Sequence, residues 1–151
     1  MIFLEGKTGC EFILGSFYSN TKGLVKKIYK DKNEIQAHIK ELYFSELFEN
    51  QTKGWKLHSE QTQNLTIAWG SLIIVTLKKF EDYFVYEKFY LDFNNEKKFG
   101  FVRIPPNIYY SLVQKNSTKS LILKFTFSSH DPRESKTINL DDIPFFKYYT
   151  V

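Results

Sequence analysis

The sequence predicts an all-β protein, a jelly-roll sandwich or barrel of eight to ten short strands. Short runs of β-branched and aromatic residues recur between polar turns, and aromatic residues make up 18% of the chain. No amphipathic stretch of ten or more residues predicts a long helix. A length of 151 residues suits one domain, so we expect a single jelly-roll domain over residues 1–151.

The predicted strands are runs of apolar and aromatic residues bounded by Gly, Asn, Asp or Pro. In chain order they are residues 11–18, 24–29, 38–47, two strands within 65–77 around Gly70, then 83–93, 99–104, 109–113 and 121–127. The run at 38–47 also permits a helix, because apolar residues recur in it every three to four positions. The nearly continuous apolar runs at 72–75 and 121–123 are typical of strands buried on both faces.

Composition and charge exclude several classes of protein. Hydrophobic residues make up 42% of the chain and charged residues 25%, which is typical of a folded protein and not of a disordered one. A single cysteine, Cys10, excludes an intramolecular disulfide and a cysteine-based zinc site. The net charge of +4 comes mainly from lysine, which disfavours a general nucleic-acid binder and suits one anionic small-molecule ligand.

Neither the start of the sequence nor its apolar runs suggest transport into or across a membrane. The first nine residues lack the basic and apolar regions of a secretory signal. The longest apolar run, at 71–77, has the length of a strand and is too short to span a bilayer. We therefore expect a cytoplasmic protein with no membrane partner.

Two segments about fifty residues apart hold most of the side chains that can carry chemistry. The first begins K-G-W-K-L-H-S-E-Q-T-Q-N at Lys53, and the second contains R-I-P-P-N-I-Y-Y from Arg103. Each is a weak signal alone, since His58 by itself is most simply a half-exposed strand residue. Together their spacing resembles the two cupin motifs, H-x-H-x(3,4)-E-x(6)-G and P-x-G-x(2)-H-x(3)-N. The matching positions are Lys56, His58, Gln63 and Gly70, then Pro105, Asn107, Tyr110 and Gln114.

The resemblance to cupins is one of spacing and not of metal ligands. A cupin metal site needs about three imidazoles and a carboxylate. This chain has Lys56, His58, Gln63 and Tyr110 at those positions, and a lysine ammonium would repel a divalent cation. The resemblance therefore implies the metal-free branch, with no metal and no cofactor.

Within that branch the chain resembles the nucleotide-sugar epimerases and isomerases. The segment 53–58 is similar to R-G-L-H-Y-Q of the dTDP-4-dehydrorhamnose 3,5-epimerases and to R-G-x-H-A-H of the dTDP-4-keto-6-deoxyhexose 3,4-ketoisomerases. Residues 104–110 resemble the epimerase segment I-P-P-G-F-A-H. Residues 124–132 and 141–144 resemble its later segments, Y-K-x-T-x-Y-Y-x-P and D-D-x-x-I. The resemblance covers about residues 36–148 and implies a homodimeric cupin that binds a nucleotide-diphosphate sugar.

This sequence differs from the family at the positions of the family's catalytic residues. Lys56 occupies the position of the epimerase base, a histidine, and Ser128 and Ser129 stand where the family has its acid, a tyrosine. His58 matches the second histidine of the ketoisomerase motif. Strand alternation places His58 on the same face as Lys56.

These residues suggest roles for a reaction next to a keto group. His58 could be the base, and Lys56 could stabilise the enolate or act as the base if burial lowers its pKa. Tyr110 could be the hydrogen-bond donor or the acid. Further contacts with the substrate are expected from Trp55, Gln63, Asn64, Arg103, Tyr109 and Lys124.

Several of these residues have a second interpretation. Trp55 and Tyr109 are equally well explained as core aromatics, and Arg103 as a solvated strand charge instead of a pyrophosphate ligand. Lys56 and His58 could also bind sugar hydroxyls or a phosphate without catalysis. The remaining histidines, His38 and His130, are interpreted as structural.

The leading hypothesis is an epimerase or isomerase of a nucleotide-diphosphate 4-keto sugar, in the synthesis of a surface-polysaccharide sugar. The alternative is a non-catalytic accessory cupin that binds a sugar nucleotide. A third and weaker hypothesis is a basic RNA-binding β-module that uses exposed aromatics.

Overall fold

The computed structural model describes residues 1–28, 38–129 and 131–151, and nearly all of its regular structure is β. The strands in these residues are β1 Ile2–Glu5, β2 Glu11–Leu14, β3 Ser16–Asn20, β4 Gly23–Lys27, β5 Glu41–Leu47, β6 Thr52–His58, β7 Gln63–Trp69, β8 Ser71–Lys79, β9 Tyr83–Asp92, β10 Gly100–Ile104, β11 Tyr109–Val113, β12 Ser120–Thr126 and β13 Ser135–Ile138. Two short 3-10 turns, Pro132–Glu134 and Leu140–Asp142, precede a one-turn helix, α1, at Phe145–Tyr148. The all-β prediction is confirmed.

Two sheets pack face to face. The first has the order β1-β9-β8-β11-β6-β13, and the second has the order β2-β10-β7-β12-β5, while β3 and β4 form a separate hairpin. Apart from β1, which pairs parallel to β9, the pairings are antiparallel. Apolar side chains from both sheets form one interior cluster, which includes Leu65, Ile67, Leu72, Ile74, Val102, Leu112 and Ile122. Two sheets that share one apolar interior form a β-sandwich.

The outer face of the first sheet is also buried. A second cluster contains Trp55 from β6, Val75 and Leu77 from β8, and Phe84 from β9. The chain's last residues cover this face: Phe145 is fully buried, and the hydroxyl of Tyr149 donates to the carbonyl oxygen of Phe3 at 3.0 Å. Successive residues of β6 and β11 therefore face either the interior between the sheets or this C-terminal cover.

Most predicted strands are present, with four differences. The run 11–18 is split at Gly15, whose amide donates to Phe99 at 2.9 Å and where a Cβ would lie 2.9 Å from the Phe99 ring. The helix permitted for 38–47 is wrong, because every residue of β5 pairs with β12. The run 121–123 is only partly buried. The edge strands β1 and β13, of four residues each, were not predicted.

Two sequence-based expectations fall on residues outside the described part of the chain. They are the end of the predicted strand 24–29, at Tyr29, and the structural interpretation of His130. In the part of the chain that is described, no helix is long and apolar enough to cross a bilayer.

Candidate functional site

Strand β6 directs two motif side chains into the interior. Lys56 lies opposite Tyr110 of β11, and Tyr110 belongs to the interior cluster. His58 lies two residues further along β6, so it faces the same way, and its ring is nearly parallel to the Tyr110 ring at a centroid distance of 6.2 Å. The sequence-based placement of Lys56 and His58 on one face agrees with this geometry.

A bulge brings a third β6 side chain to the same face. Tyr110 pairs with Lys56, but Leu112 pairs with Lys53, so two β6 residues lie opposite Ser111. Regular alternation would place Lys53 and Lys56 on opposite faces. The extra residue returns Lys53 to the same face as Lys56, at the solvent-exposed rim, where its Nζ donates to Ser45 Oγ of β5 at 2.9 Å. The contact joins the two sheets beside the site.

The imidazole of His58 is held by a carboxylate from a distant part of the chain. His58 Nδ1 lies 2.6 Å from Oε1 of Glu134, at the end of the turn Pro132–Glu134, and both side chains are buried. The other oxygen, Oε2, accepts hydrogen bonds from the backbone amides of Glu60 and Gln61 at 3.2 and 3.3 Å. Pairing of β13 with β6, with Ser135 opposite His58, brings this turn beside the histidine.

This environment keeps His58 neutral and Glu134 ionised. Burial lowers the pKa of His58 below its ordinary value, and the nearby cations Lys56 and Lys124 act in the same direction, against the effect of Glu134. Burial alone would raise the pKa of Glu134, but hydrogen bonds from His58 and two backbone amides lower it overall. In a neutral ring Nδ1 donates to the carboxylate, which leaves Nε2 as an acceptor. No described residue forms a hydrogen bond with Nε2.

The facing sheet contributes a lysine to the same space. Lys124 of β12 pairs with Leu65, an interior residue, and so points between the sheets. Its Nζ lies 5.9 Å from the ring centroids of both Tyr110 and Tyr43. Burial, together with the charges of Lys53 and Lys56, lowers the pKa of Lys124 to about 8. Lys124 and its neighbours Lys53 and Lys56 make this space electropositive, which suits an anion or a group that becomes anionic during a reaction.

Two buried polar atoms in this space lack partners. Among the described residues, no group forms a hydrogen bond with the Tyr110 hydroxyl or with Gln63 Oε1. The amide nitrogen of Gln63 donates to Gln61 Oε1 at 2.7 Å. Burial raises the pKa of Tyr110, so its phenol stays protonated at neutral pH and can donate. An unpaired buried hydroxyl is costly, and a bound ligand with an oxygen acceptor would remove that cost.

The structure brings together only part of the set of residues chosen from the sequence. Lys56, His58, Gln63, Tyr110 and Lys124 face the interior. Asn64 and Arg103 lie on the other face of the second sheet, where Arg103 Nε is 3.4 Å from Asn64 Oδ1. They alternate with Leu65 and Val102, which occupy the interior. These two side chains do not reach the site.

Trp55 and Tyr109 face away from the site as well. Trp55 is fully buried, stacks on Phe146 at 5.4 Å, and donates from Nε1 to the carbonyl oxygen of Ile143 at 3.0 Å. Tyr109 packs against the same outer cluster and contacts Phe84 edge to face at 6.1 Å. Both positions favour the core interpretation over a stacking role, because neighbours of inward-facing residues on a strand must point outward.

Three residues of this site were not singled out from the sequence. Glu134 has no motif of its own, and only the pairing of β13 with β6 reveals its contact with His58. Tyr43 follows from the register of β5, where it lies opposite Lys124. Lys53 stands in the first motif, at the family's arginine position, but was given no role there, and the bulge explains why it shares a face with Lys56. The two serines at the family's tyrosine position, Ser128 and Ser129, are exposed, as is His38.

The donor set of the site does not resemble a metal centre. In the described residues, no three His, Cys, Asp or Glu side chains are grouped as ligands of one ion. The interior carries amines, one imidazole, a phenol and an amide instead. The expectation of a metal-free site stays a prediction.

The His58–Glu134 pair predicts how stability depends on pH. Because the pKa of His58 is lower in the folded protein than its ordinary 6.5, the unfolded chain takes up a proton first. The free energy of unfolding should therefore fall as the pH drops below about 6.5, and the depressed pKa of Glu134 adds a further loss in more acidic solution. His58→Asn should reduce the decrease in Tm between about pH 7.5 and 5.5. Equal decreases in the two proteins would contradict the depressed pKa of His58.

Comparison with known proteins identifies the fold. No protein-family model matches the chain. No curated protein sequence matches it either. Solved structures do match. A dTDP sugar isomerase from Desulfovibrio desulfuricans G20 superposes with a TM-score of 0.80 and 23% identity over 93% of this chain and 90% of that one.

Two epimerases match at lower identity. A 4-keto-6-deoxy sugar epimerase from the novobiocin gene cluster of Streptomyces spheroides has a TM-score of 0.72 and 13% identity, covering 86% of this chain and 69% of that one. A dTDP-4-dehydrorhamnose 3,5-epimerase from Bacillus anthracis, with TDP and PPi bound, has a TM-score of 0.71 and 9% identity, covering 87% and 79%. The predicted cupin-type jelly roll is confirmed.

Proposed function

We propose that this chain, whose cupin fold is the one found in nucleotide-sugar epimerases and isomerases, acts on a 4-keto sugar carried by a nucleotide diphosphate. The observation that supports this most is the buried His58 imidazole, whose Nδ1 lies 2.6 Å from Glu134 Oε1 in a space shared with Lys56 and Lys124. Proton removal next to a ketone needs a base with a pKa near neutrality and a positive environment for the oxyanion that forms. A His58 imidazole that is unprotonated at neutral pH can accept the proton, and the neighbouring lysines supply the positive environment.

In the proposed reaction, His58 Nε2 accepts the proton from the carbon next to the keto group. The electrons of the broken C–H bond form a carbon–carbon double bond, and the ketone oxygen becomes an enolate oxygen. The Tyr110 hydroxyl donates a hydrogen bond to that oxygen, and the Lys56 ammonium stabilises its charge. Glu134 keeps the proton of His58 on Nδ1 and stabilises the imidazolium that forms.

The substrate class follows from the charge of the site and from the similar structures. Three lysines, Lys53, Lys56 and Lys124, are more than one enolate needs, and they suit the phosphates of a nucleotide sugar as well. The similar proteins act on dTDP sugars or bind TDP, so dTDP sugars are the first substrates to test. We place the reaction in the cytoplasm, in the synthesis of a surface-polysaccharide sugar.

We propose a homodimer as the working form. Among the described strands, β5 lies at one edge of the second sheet, and it exposes Leu42 and Phe44, the latter by 66%. Apolar edge strands are commonly covered by another chain. We expect no nucleic-acid and no membrane partner.

A second candidate function is a non-catalytic, accessory protein that binds a sugar nucleotide. The observation that favours it is that the base and the acid of the epimerases are replaced by Lys56, Ser128 and Ser129. Such a protein would keep the positive interior for the ligand's phosphates and would transfer no proton.

Two measurements on the wild-type protein test the proposal. A panel of dTDP- and UDP-sugars should include one that raises Tm, because a ligand of the folded state stabilises it by mass action. In D₂O, a bound 4-keto sugar nucleotide should then gain deuterium next to its keto group, detected by NMR. A ligand that raises Tm but never exchanges would favour the accessory protein. A stabilising effect of RNA, with none from any nucleotide sugar, would contradict both candidates.

A further inference from the structure

A second titratable side chain, Lys124, lies on the wall opposite His58. His58 and Tyr110 belong to β6 and β11, which are neighbours in the first sheet. Lys124 belongs to β12 of the second sheet and faces the same interior. The Tyr110 ring centroid is 6.2 Å from the His58 ring centroid and 5.9 Å from Lys124 Nζ, so the two groups share one space.

We propose that Lys124 is the acid that returns the proton, on the face of the sugar opposite His58, so that the reaction is an inversion at carbon. This inference rests on the proposed function and adds its stereochemistry and its second catalytic residue. A sugar ring bound between the two sheets presents one face to each sheet. A base on one wall and an acid on the other are the arrangement that an epimerisation needs.

The proton and the electrons balance in this scheme. His58 Nε2 takes the proton from one face, and the enolate carries the electron pair. An N–H bond of the Lys124 ammonium then breaks, its proton bonds to the same carbon from the other face, and the enolate closes to the ketone. His58 ends protonated and Lys124 neutral, and exchange with water resets both groups.

Lys124 suits this role better than the other candidates. Tyr110 lies on the same wall as His58, and its raised pKa makes its phenol a poor proton donor to carbon. The lowered pKa of Lys124, about 8, allows it both to hold and to release a proton near neutral pH. The exposed Ser128 and Ser129 offer no group with a suitable pKa.

Two substitutions of Lys124 separate proton transfer from charge. Lys124→Arg keeps the positive charge, but guanidinium does not release a proton at neutral pH. Lys124→Met removes both the charge and the proton. In D₂O with a 4-keto sugar nucleotide that the wild type converts, both variants should still place deuterium on the recovered substrate through His58. Formation of the inverted product should fall by about 10²–10⁴-fold, the usual effect of losing a placed acid.

Lys53→Met provides the matched control, because it removes a positive charge near Lys124 and leaves Lys124, the proposed acid, in place. Because burial is the main cause of the lowered pKa of Lys124 and Lys53 only the second, the variant should slow deuterium exchange and inversion by similar factors. Tm and the ligand-induced rise in Tm are measured for every variant to verify folding and binding.

The possible outcomes distinguish this inference from the proposed function. Inversion by Lys124→Arg at the wild-type rate would overturn the acid role and leave only a role for charge. If the Lys124 variants lose both deuterium exchange and inversion, the acid role of Lys124 is also overturned. Exchange by the wild type would still support the proposed function in that case. Absence of exchange in the wild type, with every 4-keto sugar nucleotide that it binds, would reject both.

Discussion

His58→Asn is expected to lower the rate of deuterium exchange into a bound 4-keto sugar nucleotide by about 10²–10⁴-fold, the usual contribution of a placed general base. Asn is similar in size to the imidazole and keeps a hydrogen-bonding group near Glu134, so the fold and ligand binding should be retained. The measurement is exchange in D₂O under single-turnover conditions, with the ligand-induced rise in Tm as a check of binding.

Lys56→Ala is the informative comparison for His58→Asn. Removal of this cation should weaken ligand binding as well as slow exchange, because the charge acts on the phosphates and on the enolate. If His58→Asn exchanges at the wild-type rate while Lys56→Ala binds ligand and is inactive, Lys56 is the base and the assignment of His58 is wrong.

Trp55→Ala is expected to destabilise the protein by about 3–5 kcal/mol, the usual effect of removing a large aromatic side chain from a core. Trp55 is fully buried, is in contact with Phe145 and Phe146, and donates a hydrogen bond to Ile143. The substitution would leave a cavity under the C-terminal cover and an unpaired carbonyl oxygen. Urea denaturation of wild type and variant measures the change in the free energy of unfolding.

The other tryptophan of the chain is the matched control. Trp69, at the end of β7, is 58% exposed, and its ring contacts that of Phe93. Because little of its surface is buried, Trp69→Ala should change the free energy of unfolding by less than about 1 kcal/mol. If Trp55 instead stacked on the nucleotide or the sugar, Trp55→Ala would leave the unfolding curve unchanged and abolish the ligand-induced rise in Tm.

Local pattern was sufficient for the fold class and for one pair of site residues. Runs of β-branched and aromatic residues between turns predicted most strands, since a strand's boundaries depend mainly on neighbouring residues. Period-two alternation placed His58 with Lys56 on one face. The same rule places Trp55 and Lys56 on opposite faces, and likewise Tyr109 and Tyr110. Only one residue of each pair can therefore line the site. The short edge strands β1 and β13 escaped prediction because four residues carry too little pattern.

Tertiary structure decided which face of each strand lines the space between the sheets and what completes the candidate site. Alternation divides Asn64 from Leu65 and Arg103 from Val102, but only the packing of the two sheets places Leu65 and Val102 inside. The bulge opposite Ser111 reverses the alternation between Lys53 and Lys56, and such an irregularity depends on the partner strand.

The contact between His58 and Glu134 joins residues 76 positions apart, and Lys124 reaches the same space from the opposite sheet. The spacing of residues along one strand determines which side chains share a face. Which groups stand across the space from that face, and therefore which pKa values are shifted there, depends on strand pairing and sheet packing between segments far apart in the chain.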